Sequence, residues 1–88
     1  MPTISQFYGI VVSMFFNDTE QHHLPHIHVQ YSGNNATFDL EGNIIVGYLP
    51  KKQIKLVEAW IEIHKDELYR LWNIVQSGKE AFYIEPLK

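Results

Sequence analysis

At 88 residues, 45% hydrophobic and 14% aromatic, the sequence has the apolar content of one small folded domain and too much of it for disorder. A net charge of −3 gives no overall attraction to nucleic acid, and the absence of cysteine excludes disulfides and thiolate metal sites. The apolar run Ile10–Phe16 is far shorter than the roughly 20 residues that cross a bilayer. Met1-Pro2-Thr3 lacks the basic start of a secretory signal, so a cytoplasmic location is expected, with no membrane partner.

Gly9 to Phe16 is rich in β-branched and aromatic residues and predicts a buried strand. Asn17 to Pro25 is polar, ends in proline and reads as a loop. His26 to Tyr31 alternates, with Ile27, Val29 and Tyr31 on one face and His26, His28 and Gln30 on the other. Ser32-Gly33-Asn34-Asn35 is a turn by composition. Ala36 to Glu41 alternates again, Gly42-Asn43 is a second tight turn, and Ile44 to Leu49 is a further strand closed by Pro50.

From Lys51 the period becomes helical. Ile54, Val57, Ile61, His64, Leu68, Leu71 and Val75 recur at spacings of three and four, and Leu56, Trp60, Ile63 and Trp72 widen the stripe. A continuous helix from Lys51 to Gln76 would be about 39 Å long, against an expected radius of gyration of about 12 Å. A kink or break is therefore expected near His64-Lys65-Asp66, with Asp66 as a cap at a new start. Ser77-Gly78 ends the helix, and Ala81 to Ile84 reads as a short last strand. The expected fold is α+β in one domain, 1–88. An antiparallel sheet of about four strands (9–16, 26–31, 36–41, 44–49) precedes a long kinked or split helix (51–77) and a C-terminal strand (81–84).

Four of the five histidines, His22, His23, His26 and His28, fall within seven residues. With Ser32–Asn35 as a four-residue loop, Tyr31 pairs with Ala36, Val29 with Phe38 and Ile27 with Leu40. His28 then meets Asp39 and His26 meets Glu41, about 4.5–5.5 Å apart at Cβ. A carboxylate beside an imidazole favours its charged form and fixes its tautomer, the arrangement of an acid–base dyad. In a catalytic reading His26 and His28 are acid and base, Asp39 and Glu41 orient them, and Lys51, Lys52 and Lys55 meet phosphate. The same residue types suit a divalent metal, with His22, His23, His26 and His28 as ligands and Asp18 in reach. The bland alternative is a set of ordinary cross-strand pairs on an exposed face, a solvated lysine face and a packed His64. There is no glycine-rich phosphate loop and no nucleophile elbow.

Four stretches carry a resemblance: Pro2-Thr3-Ile4-Ser5-Gln6-Phe7-Tyr8-Gly9-Ile10, His23-Leu24-Pro25-His26-Ile27-His28-Val29, Leu49-Pro50-Lys51-Lys52, and Trp60 to Leu68 followed by Trp72. Together they resemble a bacterial family of small proteins known only as a domain of unknown function, with Pro25-His26-Ile27-His28-Val29 at its motif. Many members carry Asp-His-x-Pro-Pro-His before that point, whereas this chain has the longer Asp18-Thr19-Glu20-Gln21-His22-His23-Leu24-Pro25-His26. The resemblance implies a gene pair of toxin–antitoxin type, hence a small protein partner encoded nearby. It brings no activity and no catalytic residue. Three readings follow: a ribonuclease-like toxin acting on RNA, a non-enzymatic binding module of antitoxin or regulatory kind, and a divalent-metal domain. A homo-oligomer is compatible with each, and enzymatic activity is left open.

Overall fold

The computed structural model describes residues 3–16 and 24–88. Five strands, β1 (Thr3–Phe7), β2 (Ile10–Ser13), β3 (His26–Tyr31), β4 (Asn34–Asp39) and β5 (Ile44–Gly47), are followed by one helix, α1 (Lys51–Gln76). The strands form an antiparallel meander in the order β1-β2-β3-β4-β5.

The sheet thus has five strands where about four were expected, because Thr3–Phe7 adds one ahead of the expected strand at 9–16, which itself shortens to Ile10–Ser13. Tyr8 and Gly9 have φ of +49° and +79°, and they turn the chain back within two residues. That mirror-image turn suits the right-handed twist of paired strands. The preceding strand is masked in the sequence by a register shift between Thr3 and Ser5, which buries Ile4 and Ser5 together and breaks the alternation.

The β3–β4 turn is also shorter than expected. Ser32 and Gly33 have φ of +48° and +84°, so Tyr31 pairs with Asn34 rather than Ala36. Every pairing therefore moves by two residues. His26 lies opposite Asp39 instead of Glu41, and His28 lies opposite Thr37 instead of Asp39. A shift of two changes partners but preserves faces, since side chains alternate with a period of two.

Strand β5 ends at Gly47, not Leu49, and Gly47 admits no side chain. Its φ is +95°, and a Cβ there would lie 2.3 Å from the Asn35 carbonyl oxygen and 2.7 Å from the Ala36 Cα. The next residue, Tyr48, donates its N–H to that same carbonyl at 2.9 Å.

The helix runs as one element from Lys51 to Gln76, without a split, and only His64 has non-helical angles (φ −110°, ψ 18°). This is the residue where the kink was expected. Its Nδ1 lies 2.6 Å from Glu67 Oε1, and its ring is 5.6 Å from that of Trp60. At the far end Gly78, at φ +87°, donates its N–H to the Val75 carbonyl, and Lys79 donates to Ile74. The expected strand at 81–84 is instead a non-strand segment held against β1. Ile84 N–H donates to the Ile4 carbonyl, Ser5 Oγ donates to the Ile84 carbonyl, and Trp60 Nε1 donates to the Glu85 carbonyl.

These elements bury one apolar cluster. Ile10, Val12, Ile27, Val29, Ala36 and Phe38 share a sheet face by register and join Val57, Trp60, Ile61, Leu68 and Leu71 of the helix. The Phe7 and Trp60 rings, 5.4 Å apart, fix the helix on that face. Fully burying one such side chain contributes about 1.5–3 kcal/mol. Gly47→Ala is expected to destabilise the fold by about 2 kcal/mol or more, because the new methyl meets backbone that cannot rotate away. Urea denaturation measures this, and an unchanged midpoint would contradict the close β4–β5 approach.

Candidate functional site

The sheet face opposite the core carries a row of directly paired residues: Ser13 with His28, His28 with Thr37, and Thr37 with Val46. Alternation forces this grouping once Val12, Val29 and Phe38 face the helix. Phe15, Gln30 and Asn35 flank the row, and the whole lines a pocket of about 360 Å³. That is within the range of small-molecule sites.

The row is mixed in character. Ser13 is 2% exposed, and its hydroxyl has no hydrogen-bond partner among the described residues. Thr37 is also buried, His28 is half-buried, and Val46 is exposed. The His28 ring stands edge-on to Phe15 at 4.8 Å. On its other side lies His26, at 5.1 Å, and beyond that Trp72, 5.3 Å from His26. Four rings thus run in contact from the pocket wall into the core. His26 is fully buried, and its Nδ1 donates to the Leu24 carbonyl at 2.6 Å. Further along the helix, Gln76 Nε2 donates to the Phe15 carbonyl at 2.7 Å.

Of the residues singled out in the sequence, His26, His28 and Asp39 do share a sheet side by register, with His28 alone of the three lining the pocket. Asp39 holds the β4–β5 turn. Its Oδ1 accepts the N–H of Glu41 and of Asn43, each at 2.9 Å, and its Oδ2 accepts Asn43 Nδ2 at 3.1 Å. Partial burial pushes the Asp39 carboxyl up, but the hydrogen bonds from Asn43, Glu41 and Gly42 outweigh it and hold it below its ordinary 3.8.

Glu41 lies beyond the end of β4 and ties the turn to the helix. It accepts the Tyr69 hydroxyl and, at 3.0 Å, Lys65 Nζ. Those bonds, Tyr69 first, lower the Glu41 carboxyl below its usual range, and the bond to Glu41 raises the Tyr69 hydroxyl above its own.

Lys51, Lys52 and Lys55 are on the first turns of α1, and Lys52 shares a surface hollow with Tyr8 and Tyr31. Tyr31 ends the strand that His26 begins, about 17 Å away at 3.3 Å per residue. From Lys55 to Trp72, which touches His26, the helix rises about 25 Å. The lysines and His26 are therefore at opposite ends of the molecule. His22 and His23 lie outside the described residues. Among the described residues, no three histidine or acidic side chains gather as a metal site, and no helix is long and apolar enough to cross a membrane.

Sequence reasoning missed Ser13, Phe15 and Thr37. Ser13 was hidden inside a run read as wholly buried, although the step from Val12 to Ser13 is the signal that a polar face begins. Thr37 was visible as a face-mate of Asp39 and became His28's partner only through the shorter turn.

Residues 9–73 match a family model described as Domain of unknown function (DUF4160). No curated protein and no solved structure matches the chain.

Because Asp39 has a lowered folded-state pKa, its contribution is present above pH 3.8 and is lost as the pH falls through the folded value. Asp39→Ala should thus cost about 1 kcal/mol at neutral pH. In denaturation series across pH, that cost should shrink steadily below about pH 4. A penalty that stays constant into strong acid would show that the carboxylate bonds contribute nothing.

Proposed function

The chain belongs to the DUF4160 family, and on that premise we propose that it is a binding module, one member of a toxin–antitoxin-type pair, which presents the β5 edge of its sheet to an extended segment of a small protein partner. The observation that carries this reading is the difference between the two sheet edges. The outer strand β1 is covered by the C-terminal segment through the Ile84 N–H and the Ser5 hydroxyl. The outer strand β5 has an uncharged sequence, Ile44-Ile45-Val46-Gly47, followed by Tyr48, and Ile44, Val46 and Tyr48 are exposed.

Edge strands are usually guarded by lysine, proline or a cover, because their unpaired backbone groups template another strand. Here apolar side chains stand beside that edge, as strand-addition recognition requires. The net charge of −3 and the distance of Lys51, Lys52 and Lys55 from the histidines also favour a protein partner over a phosphate backbone.

The RNA-cleaving reading keeps one support. His28 stands between two hydroxyl residues in a pocket, a setting for proton transfer at a single imidazole. The buried His26, the turn-holding Asp39 and the helix-bound Glu41 weigh against the full four-residue constellation. Loss of RNA cleavage and growth inhibition in His28→Ala would select this second reading.

Co-expression with the small protein encoded beside its gene should give a complex that co-elutes on size exclusion. Val46→Lys should weaken that complex at least tenfold, since it plants a charge in the strand-addition face, while leaving the circular dichroism spectrum unchanged. A complex that survives Val46→Lys and Tyr48→Lys alike would remove the β5 edge from the account.

A further inference from the structure

We propose that the pocket on the helix-free sheet face is a site for an uncharged planar heterocycle of the nucleobase class, held edge-on by the Ser13 and Thr37 hydroxyls and flanked by the Phe15 ring. The first observation is Ser13, a residue of the pocket wall that is 2% exposed and whose hydroxyl has no hydrogen-bond partner among the described residues. Buried polar groups in folded proteins are nearly always satisfied, so an orphan hydroxyl in the wall of a cavity offers a ligand atom a hydrogen bond once its side chain turns into that cavity.

The second observation is the cavity itself, about 360 Å³ and bounded by β2, β3, β4 and β5, which a single ring system with a substituent fits. The third is its chemistry. Among the described residues the lining has two hydroxyls, the His28 imidazole and the amides of Gln30 and Asn35, with no lysine, arginine, aspartate or glutamate. A phosphate or sulfate would find no permanent cation there, and an ammonium group would find no carboxylate. What such a wall recognises is a neutral ligand with donors and acceptors around its rim and an apolar face. Phe15 and Val46 supply the matching apolar surface. Bases recognised outside a duplex are read in this way, by stacking on aromatic side chains and by hydrogen bonds to their edges.

This site does not depend on the β5 edge binding a protein, because it is tested on the isolated chain. Amide chemical-shift titrations would use uridine, cytidine, adenosine and guanosine, with inorganic phosphate as the comparison. At least one nucleoside should give saturable shifts at Ser13, His28 and Thr37, and phosphate should give none. Ser13→Ala should weaken that nucleoside at least tenfold. It should also raise the melting temperature by about 4–8 °C, since it removes a buried unpaired hydroxyl. Thr37→Val provides a second variant and should weaken the same nucleoside. The proposal is overturned if no nucleoside saturates at 10 mM, if phosphate produces the same shifts, or if both variants bind as tightly as the wild type.

Discussion

The pairing of β3 with β4 through the two-residue turn Ser32-Gly33 is the constraint on which the rest of the molecule depends. It holds Ser32, a residue with a Cβ, in the left-handed region, at a cost of roughly 1–2 kcal/mol. In return Ile27 meets Phe38 and Val29 meets Ala36, which completes the central part of the core face. The same pairing sets His28 against Thr37. Because β2 pairs with β3 on the other side, it also aligns Ser13 with both. The core and the pocket are two sides of one register, and neither can slip without the other.

The two faces are built to different standards. On the helix side almost every side chain is apolar and sealed. Away from that core a hydroxyl is buried without a partner among the described residues, a glycine at the sheet edge is pressed against a neighbouring backbone, and the side chains of an apolar edge strand are exposed. Each of these features lowers stability or solubility, and all three lie within the span of β2 to β5. Features that weaken a fold tend to mark surfaces used for binding. The histidines divide along the same line. His26 is a packing and hydrogen-bonding residue that joins Leu24, His28 and Trp72, whereas His28 is part of the pocket wall.

Much of the architecture was legible because alternation is robust to error. Reading Ser32–Asn35 as a four-residue loop misplaced every pairing of β3 with β4, yet an even shift keeps each side chain on its own side. The faces of Ile27, His28 and Phe38 therefore survived it. The bend at His64 was legible because a straight 26-residue helix is too long for the molecule. Strand β1 was not legible, since its irregular pairing puts Ile4 and Ser5 inside together. Ala81 to Ile84 read as a strand because it does lie along one, although a single backbone bond joins Ile84 to Ile4.

The candidate site was harder to read, because residue type says nothing about prior engagement. Asp39 and Glu41 are the carboxylates any reader would assign to the histidines. Both are already committed, one to the Asn43 turn and the other to Tyr69 and Lys65. Ser13 carries no motif and stands out only because the fold leaves its hydroxyl alone. The most direct test of the account is the cross-strand nuclear Overhauser pattern between β3 and β4. The structure requires contacts of His28 with Thr37 and of His26 with Asp39. Contacts of His28 with Asp39 and of His26 with Glu41 would contradict it, and the pocket row would be lost with them.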